Sequence, residues 1–72
     1  MEINYVLILD FTAGCLDIIH LTKKEIEESY KFDDFEDFLL TIEDKYGFRL
    51  SNCQWMTAER LEIYHFENGE QI

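Results

Sequence analysis

Phe35, Phe38, Leu39, Ile42 and Tyr46 recur at i, i+3, i+4, i+7 and i+11, the spacing that most constrains how this chain folds. At about 100° per residue these five side chains fall on one narrow stripe, so the segment is an amphipathic α-helix with a face to bury. Its ends are marked as well. Asp33 and Glu36 have capping-box spacing, Lys45 suits a last turn, and Gly47 stands where a left-handed residue ends a helix. The expected helix is roughly thirteen residues long. Acids fill its outer side, and Leu40 lies among them as an apolar residue facing water.

A lone stripe is not a fold, and the flanking segments supply what it packs against. Ile3–Phe11 and Leu16–Leu21 are rich in β-branched and aromatic residues and are separated by "TAGC", in which Gly14 can take a positive φ. The pattern predicts a β-hairpin. In the first strand Ile3, Tyr5, Leu7, Leu9 and Phe11 share one face, while Val6 and Ile8 make the other face apolar too. A strand apolar on both sides belongs in the middle of its sheet. Thr22 and Glu25 form another capping box, with Leu21 and Ile26 as a hydrophobic staple, which starts a short helix.

After Gly47, "NCQWMT" and "RLEIYHF" alternate around "TAER" and predict a second hairpin, while "ENGEQI" carries no pattern and is expected to fray. The order is then ββααββ. The expected class is α+β: a four-stranded, mostly antiparallel sheet with two helices packed on one face. With 72 residues there is room for one domain, taken as residues 1–67 with 68–72 as a tail. A chain this short buries only about 60% of its unfolded surface. Its 47% apolar content and eleven aromatic residues are still too high for a disordered chain.

Sixteen acids against six bases give a net charge of −10. Direct binding of nucleic acid is disfavoured, since Lys and Arg supply phosphate affinity, and an anionic membrane surface is disfavoured for the same reason. Only five unbroken apolar residues run from Tyr5 to Leu9, between Glu2 and Asp10, too few for a signal peptide or a span. The expected location is the cytoplasm, with Cys15 and Cys53 as free core thiols.

Candidate chemistry is sparse. Asp33, Asp34, Glu36 and Asp37 could offer oxygens to Mg²⁺ or Ca²⁺, but they lack a loop motif and capping already explains them. His20 and His65 could in principle meet Cys15, Cys53, Ser29 or Ser51, though His20 has the parity of a strand residue beside Leu16 and Ile18. Tyr5, Phe11, Trp55, Tyr64 and Phe66 resemble a stacking platform without the basic groove one needs. No catalytic residue, cofactor or metal site is expected, and the protein is read as a non-enzyme.

The charge is unevenly spread. Glu25–Asp44 holds nine acids and one base, while the remaining residues hold seven acids and five bases. Asp33, Asp37 and Asp44 form one ridge of the main helix and Glu36 with Glu43 a second. The leading expectation is therefore an interaction module whose face of Asp33, Glu36, Asp37, Leu40, Glu43 and Asp44 docks on a basic protein, such as a nucleic-acid-binding one. The alternative is a structural subunit that self-associates through its sheet. Exposure of the face bearing Val6, Ile8, Ile19, Tyr64 and Phe66 would favour that alternative.

Overall fold

The computed structural model describes residues 2–72. In chain order it contains β1 (Tyr5–Asp10), β2 (Cys15–His20), α1 (Lys23–Ser29), α2 (Phe35–Tyr46), a 3₁₀ turn (Leu50–Asn52), β3 (Cys53–Ala58), β4 (Phe66–Glu67) and β5 (Glu70–Gln71). The class is α+β with antiparallel sheets, as expected. The single four-stranded sheet is not: a three-stranded sheet of order β2-β1-β3 stands apart from a two-stranded β4-β5 ribbon. β1 is central, pairing Leu7 with Ile18 on one side and with Met56 on the other.

Turn chemistry explains the difference. The first hairpin closes because the Asp10 side chain accepts from the backbone N–H of Thr12 at 2.9 Å and of Ala13 at 3.0 Å, while Gly14 takes φ +64°. β3 runs through Ala58, which leaves Glu59 and Arg60 to reverse the chain, and neither residue has a positive φ. Leu61–His65 therefore leave the sheet without pairing. Asn68 (φ +53°) and Gly69 (φ +81°) instead supply the two left-handed residues of a tight hairpin turn. Residues 68–72, set apart in the sequence as a tail, thus carry a turn and a strand, closed where the Ile72 N–H donates to the His65 carbonyl at 2.7 Å. All residues from 62 to 72 are exposed. The radius of gyration of 13.5 Å exceeds the roughly 11 Å of a compact chain this long, consistent with a projecting arm.

The core lies between one face of the three-stranded sheet and the helices. Val6, Ile8 and Ile19 meet Leu21, Phe38, Leu39 and Ile42, with Phe48 and Leu50 sealing the end after α2. Phe35 joins this core to the sheet, its ring 5.4 Å from Phe38 and 5.8 Å from Trp55. Burying each Val or Ile side chain contributes about 1.5–3 kcal/mol. At α2 the cap is Asp34 rather than Asp33. Its side chain accepts from the Glu36 N–H at 3.1 Å, so the helix begins at Phe35 and spans 12 residues. Either acid can cap a helix, and a cap at Asp34 starts the helix on the first residue of the stripe. Gly47 ends it in the left-handed conformation at φ +79°.

One acid ties the two helices together. Glu25 completes the predicted box with Thr22, its carboxylate accepting from the Thr22 N–H at 2.9 Å. The same buried carboxylate accepts from the Tyr46 hydroxyl at 2.8 Å and the Lys45 ammonium at 3.1 Å. Burial pushes its pKa up, but these three donors outweigh burial and hold the carboxyl below its ordinary value.

Candidate interaction surface

Alternation along β1 divides its residues between two unlike faces. Val6 and Ile8 point into the core and are fully buried. Tyr5, Leu7 and Leu9 point the other way, beside Leu16 and Ile18 of β2 and Met56 of β3. Among the described residues nothing covers this outer face. Leu9 is 48% exposed, Leu16 53%, Ile18 42% and Met56 58%. The remaining positions on this face are His20, Gln54 and Ala58, so the three strands present no Asp, Glu, Lys or Arg there. A shallow depression of about 240 Å³ lies between Leu7, Leu9, Leu16 and Met56, with Gln54 and Trp55 at its border. Tyr5 and His20 stack at one end, ring centroids 4.5 Å apart.

This is the reverse of the face expected to decide between the two readings. Val6, Ile8 and Ile19 are core, and Tyr64 and Phe66 belong to the arm. Alternation could not choose between two apolar faces of the same strand.

The residues of the acidic face are brought together only in part. Asp33 precedes α2, and Glu36 and Asp37 stand exposed in its first turn. Leu40 is 51% exposed one turn further on. Glu43 is half-buried and turned inward, accepting from the Leu50 N–H at 2.7 Å. Asp44 is paired with Arg49 at 3.0 Å. Two of the five carboxylates therefore have local partners, and the free part of the face is the first turn with Leu40.

The reactive side chains do not converge. Cys15 lies opposite Asp10 and His20 opposite Tyr5, at the two ends of β1 and on opposite faces. Cys15 is exposed rather than the core thiol expected, while the half-buried Cys53 packs against the core. They flank Asp10 from either side, which sets their Cα atoms roughly 10 Å apart, beyond disulfide reach. Desolvation and the nearby Asp17 and Asp10 push the Cys15 thiol up, and desolvation and Asp10 push up Cys53. Among the described residues no three His, Cys, Asp or Glu side chains come together to hold a metal ion, and no helix is long and apolar enough to cross a membrane. No protein-family model, curated protein or solved structure matches the chain.

Proposed function

We propose that the protein is a non-enzymatic association module whose working surface is the outer face of the three-stranded sheet. The observation that carries this reading is the uncharged patch around Leu9, Leu16, Ile18 and Met56, half-exposed in a chain of net charge −10. Apolar side chains scattered singly on a surface need no explanation; a contiguous group on a flat sheet marks an interaction site. Cysteines and histidines that do not converge give no support to catalysis, and unpaired cysteines suit a reducing compartment such as the cytoplasm.

A second reading, the docking of the acidic helical face on a basic protein, is favoured by Leu40, an apolar anchor 51% exposed between Asp37 and Asp44. The two separate by substitution. Leu16→Glu should remove whatever co-purifies with the protein from its own cells, while Asp37→Lys with Asp44→Lys should leave it in place. The opposite pattern would move the function to the helices.

A further inference from the structure

We infer that the occupant of the outer sheet face is a second copy of this chain, packed sheet against sheet. The inference rests on the association reading above and assigns its partner. Charge is the first reason. The helix-bearing segment Glu25–Asp44 holds nine acids and one base, and its helices lie behind the sheet, across the core from the bare face. Two such chains repel through most of their surfaces. Face to face, their sheets stack about 10 Å apart with a helix layer of about 10–12 Å behind each, so the acidic layers sit roughly 30 Å from one another. That is well beyond the Debye length of about 8 Å at physiological ionic strength. The bare face thus lets two copies meet with their acidic helices held far apart.

Chemistry is the second reason. A face with no Asp, Glu, Lys or Arg offers no Coulomb attraction to a basic protein, and it rewards a partner that is flat, neutral and apolar. The chain itself supplies such a surface, and a two-fold axis through the patch sets Leu9, Leu16 and Met56 of one copy against the same group on its partner. Area sets the strength. Three strands of six residues cover on the order of 300 Å² per copy, about 600 Å² in all, below the roughly 1,000 Å² that a stable interface clears, so the contact is weak and transient. The dimer is therefore reversible and concentration-dependent.

The test is sedimentation of the untagged full chain from about 5 µM to about 1 mM at low and high salt, a range matched to a weak interface. The 8.7 kDa chain should pass from monomer to dimer. Salt should tighten the dimer, because it screens the repulsion between two acidic copies. Leu16→Glu and Met56→Lys should each weaken it by on the order of tenfold or more, since both bury a charge. They change the net charge in opposite directions, so a shared effect comes from the face, and a thermal melt confirms that each is folded. A wild-type monomer throughout, or a dimer that survives both substitutions, overturns the inference. In that event, loss of co-purifying protein on Leu16→Glu would still keep the association reading, with a different partner.

Discussion

Ile8 and Leu9 are neighbours of similar hydropathy on one strand, and one is fully buried while the other is 48% exposed. The sheet's two faces differ in the same way throughout. Inside, Val6, Ile8 and Ile19 lie under the stripe of α2; outside, Leu9, Leu16, Ile18 and Met56 stand exposed. Hydropathy does not decide burial here. What decides it is the number of helices: two short ones cover one face, and the residues that could have covered the other run out into an arm. A strand apolar on both sides has a second face that is sticky by construction.

The hardest blow to this comparison is removal of the inner face's cover. Phe38 is 1% exposed, with the rings of Phe35 and of the more exposed Phe32 beside it. Phe38→Ala should cost about 3–5 kcal/mol, enough to unfold much of a chain this small. The measurement is urea denaturation. A variant with an unchanged midpoint would mean the stripe is not what holds the helices down.

The direct comparison is the next largest effect. Ile8→Ala should cost about 2–5 kcal/mol, while Leu9→Ala one residue away should cost under about 1 kcal/mol at concentrations where the chain is monomeric. At high concentration the Leu9→Ala cost should grow, because the outer face then has a partner. Equal costs for the two at low concentration would mean that both faces are covered within one chain.

Much of this was readable beforehand, and the failures share a cause. The stripe of α2, the Thr22–Glu25 box, the Gly47 stop and the central place of β1 all come from local spacing, and all stand in the structure. The fourth strand failed although Leu61–Phe66 alternates well: Glu59 and Arg60 take no left-handed conformation to close a tight turn, and Asn68 and Gly69 do. Alternation says how a segment would sit in a sheet, and turn chemistry says whether it arrives there. The site was harder. Which face of β1 lies outward is a question about a distant helix, and the inward turn of Glu43 toward Leu50 depends on how the chain leaves α2.

A smaller effect tests what keeps the helices on the inner face. The Glu25 carboxyl is held below its ordinary value of 4.5 when folded, so the unfolded chain binds more protons in that range. Its contribution is therefore present above the unfolded value and lost as pH falls through the folded one. Tyr46→Phe removes one of the donors that lower it and should cost about 1.5–3 kcal/mol near neutral pH. The gap between wild type and Tyr46→Phe should narrow below about pH 4.5, where Glu25 gains a proton. Chemical denaturation at a series of pH values measures it. A constant gap down to the acid limit would mean the hydroxyl acts by packing alone.

The smallest effect belongs to the acidic ridge, and its smallness is the point. Asp37 lies in the first turn of α2, where the helix dipole favours an acid by about 0.3–1 kcal/mol. Asp44 is paired with an exposed Arg49, a contact worth about 0–1 kcal/mol. Asp37→Lys with Asp44→Lys should therefore shift stability by no more than about 2 kcal/mol and loosen the fold slightly, while the net charge moves from −10 to −6. If the outer sheet face is the working surface, sedimentation of this variant at physiological salt should match the wild type, because the ridge lies about 30 Å from its counterpart and beyond the screening length. At low salt the variant dimer should be the tighter of the two, since less repulsion remains to be screened. Association that weakens on losing these acids would mean the helical face takes part in it, and that Leu40 rather than Leu16 marks the contact.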